Sequence, residues 1–112
     1  MPQARVLRAT RIRFNDDDHP LVHEEVVLPL DRLPGLGANA GDIPDICDLA
    51  QLYGLRLGHA RERVSIVQAT AGIAKLFRIA TGSDVVKLDR VVETADGKPI
   101  EWRVALAYFE TR

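Results

Sequence analysis

Two segments, one near each end of the sequence, place a cluster of turn formers between runs of strand character at the same spacing. Thr10-Arg11-Ile12 to Pro20-Leu21 aligns without a gap on Asp89-Arg90-Val91 to Pro99-Ile100. Each copy has an Arg nine residues before a Pro, an Asp three residues before that Pro (Asp17 and Asp96) and an aliphatic residue after it. In the first, the side chains of Asn15 to His19 can bond neighbouring backbone amides, and Pro20 cannot donate to a central ladder. In the second, Asp96-Gly97 is a strong hairpin signal. Both ends are thereby committed to antiparallel pairing, and the shared spacing predicts an internally repeated β-hairpin.

The rest of the chain fits between these hairpins. Arg5 to Phe14 and Leu21 to Leu28 read as the strands of the first. Residues 29 to 47 are rich in proline and glycine, which predicts a surface connection with a short turn of helix near Leu30 to Leu33. Apolar residues at helical spacing predict a helix over 44 to 53, ended by Gly54, with Cys47 on its apolar side. Leu55 to Gln68 alternates as a long strand, and Ala71 to Ala80 predicts a second helix stopped by Thr81-Gly82. Val85 to Glu93 and Ile100 to Phe109 form the closing hairpin, in which Trp102, Val104, Leu106 and Tyr108 share the expected core face. The order predicts one α+β domain, a mostly antiparallel sheet with flanking helices.

Charge and cysteine content narrow the partners. At 112 residues the chain has the length of one domain, and its net charge of -1 lacks the basic excess of a small nucleic-acid binder, so DNA binding by this chain alone is not expected. No apolar run approaches the roughly 20 residues of a membrane-spanning helix. The opening Met1 to Arg5 does not lead into a signal-peptide core and Cys47 has no partner cysteine, so a cytoplasmic setting is expected. His19, His23 and His59 lack the spacing of zinc ligands, and neither a metal nor a cofactor is expected.

The residues that can carry chemistry lie on the hairpins. A turn centred on Asp17-Asp18 puts Arg13 opposite Val22 and Arg11 opposite Glu24, all on one sheet face. Two guanidinium groups side by side can hold a carboxylate or phosphate through paired hydrogen bonds. Equally, Arg11 and Glu24 can form a plain cross-strand ion pair. Glu101 can accept hydrogen bonds from a ligand, or serve as partner to Arg90 or Arg103.

Four strings in order resemble a known family: Arg11-Ile12-Arg13, Pro20 with Glu24 beyond it, Tyr53-Gly54-Leu55-Arg56-Leu57, and Asp96-Gly97-Lys98-Pro99-Ile100-Glu101-Trp102. They resemble the UTRA domain, the effector-binding domain of the HutC subfamily of GntR-type transcription regulators. The resemblance implies a chorismate-lyase-like fold and a small anionic metabolite as effector, with no catalysis. It implies Arg11, Arg13, Glu24 and Glu101 as ligand residues, with Gly58 and Ala60 lining the pocket from the long strand. It also implies a homodimer whose DNA contacts come from a winged helix-turn-helix domain outside this chain. The chain is expected to be a fragment that lacks the first strand and helix of such a domain. Two alternatives stand beside this reading: an enzyme of the chorismate-lyase type, and an oligomerisation module without a ligand.

Overall fold

The computed structural model describes residues 5–15, 17, 19–37 and 43–109. Strands β1 (Val6–Phe14) and β2 (Pro20–Pro29) form the first hairpin, followed by helix α1 (Ile46–Leu52) and the long strand β3 (Leu57–Gln68). Helix α2 (Ala71–Phe77) leads into the second hairpin, β4 (Asp84–Thr94) and β5 (Pro99–Ala107). The five strands form one sheet in the order β1-β2-β5-β4-β3, with every pairing antiparallel. The expected α+β class is therefore present, and β2 joining β5 sets the two hairpins side by side at its centre.

The two helices lie on opposite faces of this sheet. Leu28 on β2 and Val92 on β4 point to the face that meets α1, where they bury Leu33, Ile46, Leu49 and Ile100 with them. Leu33 comes from the connection after β2, which makes successive turns at Arg32, Leu33 and Leu36 rather than the expected helical turn. Val85 on β4 points to the other face and packs with Ala69, Ala74 and Phe77 of the α2 segment. Full burial of a phenylalanine such as Phe77 contributes about 1.5–3 kcal/mol.

Three local expectations are corrected. Helix α1 buries only Ile46, Leu49 and Ala50, so Cys47 is exposed rather than on an apolar face. A seven-residue helix is too short to present a wide buried stripe. Helix α2 ends before the expected Thr81-Gly82 stop, because Arg78 takes the left-handed conformation at φ 59° and Ile79 N–H bonds back to Ala74 O at 2.9 Å. That closure returns Ile79 to the Phe77 cluster, a gain that offsets the strain of a non-glycine residue in this region. On β5, Leu106 and Tyr108 pack against the α2 cluster, but Trp102 and Val104 are exposed at 38% and 36%. Alternation identifies which residues share a face. It does not say how much of that face a seven-residue helix reaches.

Candidate functional site

The register of the first hairpin is the one the turn predicts, Arg11 opposite Glu24 and Arg13 opposite Val22. Across the central pairing, Val26 faces Arg103, and Arg103 in turn faces Arg90 on β4. Glu62 on β3 faces Arg90. One sheet face therefore collects charged side chains from all five strands.

These side chains alternate in sign. Glu24 accepts from Arg13 Nε at 2.6 Å through Oε1 and from Arg103 Nη1 at 2.9 Å through Oε2. Glu101 accepts from Arg90 Nε and Nη2 at 3.2 and 2.6 Å through Oε1, and from Arg103 Nη2 at 3.3 Å through Oε2. Arg90 also approaches Glu62 at 3.9 Å. Arg90 and Arg103 are like charges placed directly opposite each other, an unfavourable pair that the Glu101 carboxylate between them neutralises. Glu24 and Glu101 are both buried, at 5% and 1% exposure. The cost of burying these two carboxyl groups is offset by a guanidinium partner on each oxygen.

Arg11 stands apart from this row. Its Nη2 donates to the backbone oxygen of Ile43 at 3.0 Å, and among the described residues it forms no ion pair. The plain Arg11–Glu24 pair is thus replaced by a diagonal one, Arg13 to Glu24, as the long arginine side chain reaches past its direct partner. The link from Arg11 to Ile43 bridges the sheet to the segment before α1. Beneath that bridge lies a cavity of about 150 Å³, lined by Ala9, Thr10, Arg11, Val26, Leu28, Ile43, Pro44, Glu101 and Arg103.

Arg11 and Glu101 thus meet at one cavity. Glu24 and Arg13 lie next to it, joined through Arg103, but are not part of its wall. Gly58 and Ala60 lie on β3, which β4 separates from β5, and neither lines the cavity. A Cβ at Gly58 would sit 2.8 Å from the Thr94 carbonyl oxygen, so the backbone approach of β3 to the end of β4 requires glycine there. The sequence offers Arg103 only as a partner for Glu101. Its parity with Glu101 was a signal, but its contact with Glu24 depends on the β2–β5 pairing, which no local pattern encodes. A second recess, of about 440 Å³, lies on the opposite face beside α2, with His23, Glu25 and Lys87 around apolar side chains.

Comparison with known proteins agrees with this architecture. The C-terminal domain of Yurk from Bacillus subtilis subsp. subtilis str. 168 superposes with a TM-score of 0.80 at 28% identity, over 96% of this chain and 74% of that one. A transcriptional regulator (GntR family) from Enterococcus faecalis V583 gives 0.80 at 26% identity, over 99% of this chain and 84% of that one. The effector domain of PhnF from Mycobacterium smegmatis shares the fold, with a TM-score of 0.77 at 22% identity over 91% of this chain and 62% of that one. The family model of the UTRA domain matches residues 1–108, nearly the full length, and the chain belongs to the UTRA domain family.

Proposed function

We propose that this chain is the effector-sensing module of a GntR-type transcription regulator of the HutC subfamily, binding a small anionic metabolite in the cavity beside Arg11. Membership of the UTRA family supports the sensing role, as does the fold shared with a GntR-family regulator and with a domain described as an effector domain. The observation that carries the ligand class is the charge count. Arg13, Arg90 and Arg103 are matched by Glu24, Glu62 and Glu101, whereas Arg11 lines the cavity with no carboxylate partner among the described residues. A ligand anion would supply it. Glu24 and Glu101 then act by holding the arginines in place, and Gly58 and Ala60 shape the sheet at a distance from the ligand.

In this reading the protein is a cytoplasmic homodimer, and the effector favours one arrangement of its subunits over another by binding the two with different affinity. DNA is contacted by winged-helix domains outside this chain. The shared spacing of the two hairpins, which aligns Arg11 with Arg90, is read as two copies of one unit, although the pairs Arg13–Glu24 and Arg90–Glu101 stand two residues out of that alignment. Lyase chemistry would require a carboxylate free to move a proton. Both buried glutamates are instead held by two guanidinium groups each, which favours binding without turnover.

Thermal unfolding against a panel of phosphorylated and carboxylated metabolites tests the reading. A true effector at 100 times its dissociation constant adds about 2.7 kcal/mol of stability, and Arg11→Ala removes that gain. A panel in which no anion raises the midpoint, or one whose hits are unaffected by Arg11→Ala, would overturn it.

A further inference from the structure

Arg103 has the most unevenly partnered nitrogens in the charged row. Nη1 donates to Glu24 at 2.9 Å and Nη2 to Glu101 at 3.3 Å, while the buried Nε–H meets no acceptor among the described residues. On Arg90 the corresponding nitrogens, Nε and Nη2, both donate to one oxygen of Glu101, at 3.2 and 2.6 Å. The same edge of Arg103 is therefore half empty, with one donor orphaned and the other at the long end of hydrogen-bond distance. An N–H closed off from solvent without an acceptor carries a standing desolvation cost, which is relieved when the side chain turns to meet an incoming oxygen. Arg103 also lines the cavity that Arg11 borders.

We infer that Arg103 is a second ligand-recognising residue of this site, turning its Nε–Nη2 edge, closed to solvent at rest, toward a compact oxyanion head, carboxylate or phosphate, whose charge Arg11 balances. The inference rests on the reading of the cavity as an anion site and adds a geometric requirement to it. A planar fork selects an oxyanion with two oxygens, or one oxygen placed between the two donors, over a halide or a sulfonamide-like neutral group. Arg13 is not the source of this selectivity: its Nε is committed to Glu24, its side chain is 54% exposed, and it lies outside the cavity wall. At about 150 Å³, the cavity admits the head of a metabolite.

The experiment is a nitrogen-15 NMR titration of the arginine Nε–H resonances, with butyrate and, separately, inorganic phosphate as probes. Movement of the Arg103 Nε–H resonance is expected with at least one of them, and which one responds distinguishes a carboxylate from a phosphate head. Arg103→Lys keeps the charge and can still pair with Glu24 or Glu101, but it has no fork; it should weaken binding of the responding anion about tenfold. The wild-type titration stands without the variant, so failure of Arg103→Lys to fold does not remove the test. Binding that shifts Arg11 alone and is unchanged in Arg103→Lys overturns this inference and leaves the Arg11 site intact. If neither anion binds, both readings fall.

Discussion

In the hairpin β1–β2 an arginine reaches a glutamate eleven residues further on, Arg13 to Glu24, and in β4–β5 the same separation joins Arg90 to Glu101. The two pairs differ in what surrounds them. β1 is an edge strand, and the Arg13 side chain is 54% exposed. β4 lies between β5 and β3, and Arg90 is 23% exposed with a further carboxylate, Glu62, on the neighbouring strand. The same local chemistry is therefore enclosed in one hairpin and open to water in the other. An enclosed pair is a structural unit, because breaking it leaves a buried charge short of a partner; in the outer pair Arg13 can exchange Glu24 for water at small cost, while the buried Glu24 keeps Arg103.

The strongest test removes each glutamate in turn. Glu101→Ala leaves Arg103 with Glu24 alone and Arg90 with only the 3.9 Å approach to Glu62, and should cost about 3–5 kcal/mol, the range for breaking a buried ion pair. Glu24→Ala leaves Arg103 with Glu101 alone, but the exposed Arg13 rehydrates, so the loss should be nearer about 1–3 kcal/mol. Urea unfolding midpoints at unchanged slope would read both. Equal losses would dissolve the distinction between the hairpins.

A second difference concerns the strand that encloses the inner hairpin. Gly58→Ala would push a Cβ against the Thr94 carbonyl oxygen at the end of β4, a backbone atom that cannot rotate away. Overpacking of this kind typically costs about 1–3 kcal/mol. The loss should appear in unfolding experiments while anion binding persists, since Gly58 lies outside the cavity. A loss of binding with full stability would instead return Gly58 to the pocket.

Smaller still is the exchange of arginine for lysine. Arg90→Lys loses the two-nitrogen contact with Glu101 and should lower stability measurably, by about 1 kcal/mol. Arg13→Lys at the exposed edge should change it by less than about 0.5 kcal/mol. Thermal midpoints of the two variants, measured side by side, would show whether the difference in enclosure reaches single contacts.

Much of this architecture was legible because it is local. The turn at Asp17 fixes the pairing of Arg11 with Glu24 by index sum alone, and Gly54 ends α1 where the apolar spacing stops. What failed depends on contacts between distant segments. Arg11 is drawn to the Ile43 carbonyl, a backbone atom thirty-two residues away, so its expected glutamate goes to Arg13 instead. Alternation with Leu106 assigns Trp102 to the core, yet α2 is too short to cover both. Arg103 was hidden for the same reason: its place between Glu24 and Glu101 exists only once β2 lies beside β5.

The turns of the two hairpins offer the finest comparison. In the first, the acceptor is the Asn15 side chain, which takes the N–H groups of Asp17 and His19 at 2.9 Å each and does not titrate. In the second, Asp96 accepts a hydrogen bond from the Thr94 hydroxyl, which holds its pKa below the ordinary carboxylate value against the opposing effect of desolvation; the positive charges of Arg32 and Lys98 act in the same direction as the hydrogen bond. A carboxyl with a lowered folded-state pKa adds stability that is fully present above the unfolded value of about 3.9 and is lost as pH falls through the folded one. Asp96→Asn should therefore be slightly less stable than the wild type at neutral pH, with the gap closing below about pH 4. The effect is small and weakened by salt, since Asp96 is exposed. Thermal midpoints of both proteins between neutral and acid pH would read it. A gap that stays constant would assign the loss to the turn preference of asparagine, and the second turn would then be no more pH-sensitive than the first.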